Sequence, residues 1–282
     1  MSLRKTCLPP GWYPQTSEGV SRFLAKILQE NRDDGTASAA VAPHAGWRYS
    51  GAIAARVFLS LKRDADTVVV IGGHIPGGMS PLMAEEDAME TPFGEMPVDK
   101  EFRLALGQSL GCLPDRYTDN TVEVQLPMVH YFFPAAKLLW LRLPADENSF
   151  EAGREIARIA EKIGRKLVVL GSTDLTHYGD NYGYSPHGGG KKALAWVRDV
   201  NDANFIAAVK SGDPRVILDR AEKDRSACSA GAVLGALGFV KAEAQGSGAE
   251  AELLAYGTSA DVNPHVGEVP DSFVGYGAFC WR

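Results

Sequence analysis

Three of the chain's six histidines follow apolar runs that end in small residues. His44 comes directly after SAAVAP (38–43), His74 directly after TVVVIGG (67–73), and His177 shortly after KLVVLGS (166–172), in GSTDLTHYGD. Neutral imidazole is a common metal ligand, and it also titrates near neutral pH. Three imidazoles converging from distant sequence would therefore support metal coordination or acid–base chemistry. Taken singly, each histidine equally suits a strand end where the ring bonds a backbone group. Asp174, three residues before His177, suits either a carboxylate that orients that imidazole or a cap on its own loop. Glu123 and Gln125 in TVEVQLP divide in the same way: Glu123 either steadies a ligand histidine from behind or interacts with a helix start. His130 in MVHYFFP reads as packing or surface, and His187 before GGGKK as a loop residue. His265 in DVNPHVG falls near the rim of any such pocket.

The four cysteines, Cys7, Cys112, Cys228 and Cys280, form no CxxC pair and no short-spaced zinc pattern. On composition alone Cys228, in RSACSAG, is a small buried hydrophobe among alanines and glycine. Scattered thiols of this kind fit a reducing compartment. Trp47, Tyr49 and Tyr256 offer aromatic surface for a planar ring, or ordinary core. The glycine-rich GGMS and HGGGKK match neither GxGxxG nor GxxxxGK[ST], so no nucleotide-binding signal is present.

These side chains can meet only if the runs that precede them lie side by side. TVVVIGG is β-branched and uninterrupted, as a strand buried on both faces must be. SAAVAP, KLLWLRLP (137–144) and KLVVLGS share that character, and AELLAYG (251–257) and SFVGYGAFCW (272–281) read as closing strands. Helical spacing follows Ser17, covers Gly51–Leu61, Val122–Phe132 (despite Pro127), Phe150–Ile163, Lys191–Lys210 and Pro214–Lys223, and runs on from Cys228 to Leu237. Asp99 is placed to cap a helix reaching about Gln108. Residues 81–98 read as a looser extended region. This alternation predicts an α/β fold: a mixed, largely parallel central sheet with helices on both faces. In such sheets ligands bind beyond the carboxyl ends of the strands, where His44, His74 and His177 fall.

The chain has 282 residues, 45% of them hydrophobic and 23% charged, a globular balance that excludes collagen-like, disordered and coiled-coil classes. No repeat or linker divides it, so residues 1–282 are expected to form a single domain. The 29 basic and 35 acidic residues give a formal charge of −6, which offers no basic surface for nucleic acid or an anionic membrane. No apolar run approaches the ~20 residues that span a bilayer, and the N-terminus lacks the apolar stretch of a signal peptide. A cytoplasmic protein is expected.

The segments VAPHAGW-x-YSG, TPFGEMPVD, VEVQLP, STDLTHYG, YGTSADV and VGYGAF, with GWYP near the start, resemble the Memo family, the B component of the AmmeMemoRadiSam group. The matching blocks run in the family's order from about residue 11 to residue 279. The resemblance implies a fold like that of the class III extradiol ring-cleaving dioxygenases. It implies a metal site of two histidines and a cysteine: His44 in PHAGW, His74 in GGHIP and Cys228 in RSACSAG. Such a site suits a divalent or cuprous ion, iron or copper first and zinc next, because a thiolate favours these over Mg or Ca. His177 is the implied acid–base, with Asp174 beside it. Two functions follow. One is a dioxygenase or other oxidoreductase acting on an ortho-dihydroxy aromatic or another small chelating substrate. The other is a non-catalytic module holding a peptide or metal and acting with AMMECR-type and radical-SAM proteins. One residue departs from the pattern: Asn120 stands where the family usually carries a histidine, and an amide cannot shuttle a proton at neutral pH.

Overall fold

The apolar runs form the centre of a nine-stranded sheet. Strands β1 (Ala39–Ala42), β2 (Thr67–Ile75), β3 (Lys137–Pro144) and β4 (Leu167–Ser172) lie in the order β1-β4-β2-β3, all parallel. Beyond β1 come β5 (His177–Gly179), β6 (Ala251–Thr258) and β7 (Ser272–Trp281), where β7 runs antiparallel to β1, β5 and β6. Two-residue strands at Leu82–Met83 and Leu113–Pro114 extend the opposite edge past β3. The sheet is therefore mixed, with a parallel centre, as its sequence pattern predicts. This is a computed structural model, and it describes residues 2–31, 34–244, 250–262 and 268–282.

Side chains alternate between the two faces of the sheet, and each face has its own core. Val68, Val70, Leu138, Trp140, Val168 and Leu170 pack beneath α1 (Ser17–Glu30) and α2 (Trp47–Ser60). Val69, Ile71, Leu139, Leu141 and Val169 pack beneath α3 (Asn148–Ile163) and α4 (Ala230–Glu243). Both faces being apolar explains why these strands read as continuous hydrophobic runs rather than alternating ones. Helices α3 and α4 touch through glycine: a Cβ on Gly153 would lie 2.0 Å from the Gly235 carbonyl oxygen, which only a missing side chain allows.

Several expected elements shift. Helix α2 starts a turn earlier than Gly51, at Trp47, which leaves only Pro43–Gly46 to connect it to β1. The expected Val122–Phe132 helix is two pieces, Asn120–Glu123 and Leu126–Phe132. Pro127, lacking an N–H, sits in the first turn of the second piece, where none is needed. The expected Lys191–Lys210 helix contains a π-turn at Val197–Asn201, a distortion frequent at functional sites. Helix α4 begins at Ala230, so Cys228 stands in the loop before it. Asp99 caps Lys100–Leu110, accepting from the Phe102 N–H. Among the described residues no helix is long and apolar enough to cross a membrane.

Candidate metal centre

The parallel strands all end at one edge, so His44 and His74 emerge together although 30 residues apart in sequence. His44 is almost fully buried. Its backbone N–H donates to Asp174 Oδ1 (2.7 Å), and its carbonyl accepts from Asn120 Nδ2 (2.9 Å). Its Nδ1 lies 3.2 Å from Ser172 Oγ, which in turn accepts from Gln125 Nε2 at 3.1 Å. Gln125 also donates to the Pro43 carbonyl (2.8 Å). The QLP glutamine thus braces both the strand end and the hydroxyl that meets the ring.

His74 is one of two non-glycine residues at positive φ (58°) among the described residues. A bulky side chain rarely occupies that region unless its surroundings enforce it. Here the β2–β3 register shifts between Gly72 and Ile75, and a buried Arg142 holds the turn. Arg142 Nε donates to the Gly73 carbonyl (2.9 Å), Nη1 to Asp115 Oδ1 (3.3 Å) and Nη2 to Asp119 Oδ2 (3.2 Å). The same Asp119 oxygen takes His74 Nδ1 at 3.0 Å, while its other oxygen accepts from the Thr121 N–H (2.8 Å) and hydroxyl. Burial alone would push the His74 ring down, but its hydrogen bonds to Asp119 and Cys228 outweigh that and raise it to about 9. Asp119 is half-buried, yet His74, Thr121 and Arg142 hold its carboxyl below the ordinary carboxylate range.

Cys228 is tied in by its backbone N–H, which donates to the Asp174 carbonyl (3.3 Å). Its Sγ lies 3.2 Å from His44 Nε2. The two imidazoles cross edge to face, with centroids 5.1 Å apart. One ligand atom from each of His44, His74 and Cys228 lies within 4.8 Å of the others. Gly73 permits this approach: a Cβ there would lie 2.4 Å from Ser229 Cβ and drive the Cys228 loop away from β2. The donor set fits a thiophilic ion. Ser172 and Asp119 engage the Nδ1 atoms, which turns both Nε2 atoms toward the thiol, and such outer hydrogen bonds are how proteins fix histidine ligands.

His177 opens β5 and lines the same cleft without belonging to this group of three. Its Nδ1 is 3.1 Å from the Leu175 carbonyl, which can only accept, so the proton sits on Nδ1 and Nε2 keeps its lone pair. Burial pushes its pKa below the usual histidine value, so the ring is neutral at pH 7. The partner that sets this tautomer is the Leu175 carbonyl, not Asp174. Asp174 is instead committed to the His44 N–H, with its other oxygen 3.9 Å from His44 Nε2. The STDLTHY loop is anchored from below, where the Asp202 carboxylate accepts from the Thr176 N–H and hydroxyl and from Tyr256 (2.7 Å).

The cleft encloses about 850 Å³. Trp12, Tyr49, Tyr182 and Tyr276 line it, with Arg48 and Asn120. Of the three aromatics singled out from sequence, only Tyr49 is among the lining residues. Trp47 is turned into the core, donating to the Val124 carbonyl (3.1 Å), and Tyr256 is spent on Asp202. Glu123 does not reach a ligand histidine. It accepts from the Cys7 and Leu8 N–H groups and from the Tyr13 hydroxyl (3.0 Å), which fixes the segment that carries Trp12. His130 bonds Thr91 Oγ1 (2.6 Å), and His187 packs on Trp196. His265 lies outside the described residues. Cys280 is buried in the sheet and Cys112 packs against the α3–α4 core. Sequence reasoning missed Asp119, Arg142, Ser172, Trp12, Arg48, Tyr182 and Tyr276. Trp12 in GWYP, Ser172 in STDLTHYG and Tyr276 in VGYGAF stood within family blocks, whereas Asp119, Arg142, Arg48 and Tyr182 carried no signal.

The family model described as Memo-like protein matches residues 4–280. A MEMO1 family protein of Methanococcoides burtonii is 31% identical over 270 residues, covering 92% of this chain and 94% of its own. One from Pyrococcus abyssi is 31% identical over 298 residues and covers 99% of each chain. Among solved structures, an uncharacterized protein from Escherichia coli K12 aligns with a TM-score of 0.48 and 14% identity, over 85% of this chain and 98% of its own.

Proposed function

The chain belongs to the Memo-like protein family, and from that premise we propose that it is a metal-dependent oxidoreductase of the dioxygenase type, acting on a small aromatic or otherwise chelating substrate. His44, His74 and Cys228 would hold one ion, iron or copper first and zinc next. Bound there, the ion supplies a positive charge for chelating oxygens and, as iron or copper, a redox couple. The chain's own residues do the rest. Neutral His177, its Nδ1 proton held by Leu175, takes a proton from a substrate hydroxyl at Nε2. Tyr49, Tyr182, Tyr276 and Trp12 offer ring faces and edges to a planar substrate and displace water from it. Asp174 and Asn120 hold the His44 backbone rather than moving protons.

The observation that carries this reading is the division of labour among the imidazoles. Two have Nδ1 engaged and Nε2 beside a thiol, while the third is neutral in the same cleft with Nε2 available. The test is elemental analysis of protein purified without added metal, followed by oxygen uptake with a panel of catechols. Metal in the wild type, uptake, and a rate lowered roughly 10²–10⁴-fold in His177→Ala at unchanged metal content are the expected results. Metal without uptake for any catechol would sink the enzyme reading.

One observation favours a second reading. Asn120 leaves the cleft without the additional imidazole that relatives usually place there, and its amide is already spent on the His44 carbonyl. Among the described residues the cleft has one histidine outside the metal cluster, which suits a module that holds a peptide or a metal and acts beside AMMECR-type and radical-SAM proteins. Metal-loaded protein that retains a partner of either type while showing no oxygen uptake would select it.

A further inference from the structure

The cleft carries a cation that the chemistry above does not use. Arg48 lies in the first turn of α2, four residues after the ligand His44, and lines the same cleft. Its side chain is exposed, and among the described residues no carboxylate lies within ion-pair distance of it. The Tyr49 ring lies 5.9 Å from its guanidinium carbon.

The other charges around the site are already matched. Arg142 is buried against Asp115 and Asp119. Asp174, the one carboxylate among the described lining residues, is buried and committed to the His44 N–H. The first turn of α2 has no side-chain cap, so the positive end of the helix adds to the same field. A divalent ion beside a single thiolate would leave further positive charge. The open face of the cleft is therefore cationic in a chain whose formal charge is −6, an arrangement that concentrates anions locally against the overall balance.

We propose that Arg48 is a specificity-determining residue that selects a planar chelating ligand bearing a carboxylate. The planar part lies among Tyr49, Tyr182 and Tyr276, the chelating atoms reach the ligand cluster, and the carboxylate meets the guanidinium. A single planar fork of N–H donors matches a carboxylate bidentately, which a lysine ammonium cannot do. This inference rests on the metal-site reading above and narrows its substrate class.

The test is equilibrium binding under anaerobic conditions to the metal-loaded protein. The probes are 2,3- and 3,4-dihydroxybenzoate, each compared with its neutral amide and with catechol. The wild type is expected to bind at least one carboxylate roughly 10- to 100-fold more tightly than its amide, the range for a hydrogen bond to a charged group. Arg48→Gln should abolish that preference while binding catechol as before, and Arg48→Lys should keep part of it. Metal content, measured on every sample, should not change. Equal affinity for carboxylates and amides in wild type and Arg48→Gln would overturn the role of Arg48 while leaving chelation in place. Failure of the fully metallated wild type to bind any catechol would overturn both the inference and the reading beneath it.

Discussion

Replacing Asp119 by Asn tests how the metal cluster is built, because it keeps the shape and removes one charge. Each Asp119 oxygen has its own donors: one takes His74 and Arg142, the other takes Thr121. An asparagine has one oxygen and one NH2. Turned one way, the NH2 faces the His74 Nδ1–H and the Arg142 guanidinium; turned the other way, it faces the Thr121 N–H. Neither orientation satisfies every donor, and the first also releases the His74 tautomer. Loss of such an outer partner typically costs 10–100-fold in metal affinity, or about 1.4–2.7 kcal/mol. Proton competition then makes the loss depend on pH. In the wild type the His74 proton, held to about 9, must leave before Nε2 can ligate without strain on the tautomer. At pH 7 that costs at most about 100-fold in apparent affinity, and less for a side chain 34% exposed to screening solvent. Asp119→Asn removes the larger of the two hydrogen bonds that raise His74 and leaves Cys228 alone against burial, so the ring's pKa falls and the proton competes less. The sign is definite: wild-type affinity climbs steeply from pH 7 to 9, while the variant's climbs less. The deficit of the variant should therefore be small at pH 7 and approach its full size at pH 9. Competition with a chromophoric zinc chelator at both pH values measures it. An equal deficit at pH 7 and 9, or none at pH 9, would refute the proposed coupling of Asp119 to His74.

Cys228→Ser should lose bound metal in elemental analysis, whereas Cys112→Ser and Cys280→Ser should keep it, since those thiols pack in the core; equal content in all three would remove Cys228 from the site. Gly73→Ala places a Cβ 2.4 Å from Ser229 Cβ, so it should displace the Cys228 loop and cost about 1–3 kcal/mol in denaturant unfolding, together with metal; a variant as stable and as metallated as wild type would show that the close approach is not required. Burial pushes the Asp202 carboxyl up to about 6 against the hydrogen bonds from Thr176 and Tyr256. A raised acid stabilises the fold fully below its unfolded value near 3.9 and loses that contribution as pH rises through 6, so wild-type stability should fall by up to ~3 kcal/mol more than that of Asp202→Asn between pH 4 and 7. Parallel pH profiles from urea titrations would contradict this.

What the sequence disclosed follows the range of the forces involved. The central strands were legible because burial on both faces leaves an uninterrupted apolar run, and a run does not depend on which partner it meets. The rule that parallel strands present their carboxyl ends to one crevice then placed His44, His74 and His177 near one another without any pairwise information. Cys228 had no such marker. Among Ala and Gly it looked like packing, and the residue that needs the space is Gly73, 155 positions away, whose missing Cβ lets the cysteine loop close on β2. The helix assignments failed where a local signal met a tertiary one. Pro127 divided a periodic stretch, and a π-turn brought Asn201 and Asp202 inward to bond Thr176. Such pairings depend on which distant groups must bury their polar atoms.

Asp119 shows the same limit at its sharpest. In sequence it is one of 35 acidic residues and stands beside the Asn120 that the family comparison drew attention to. In the structure the two neighbours serve different histidines, Asp119 through the ring of His74 and Asn120 through the carbonyl of His44. Among the described residues His177 is the one imidazole that lines the cleft outside the cluster. In the proposed reaction that is why His177→Ala weighs so heavily between a catalyst and a holding site.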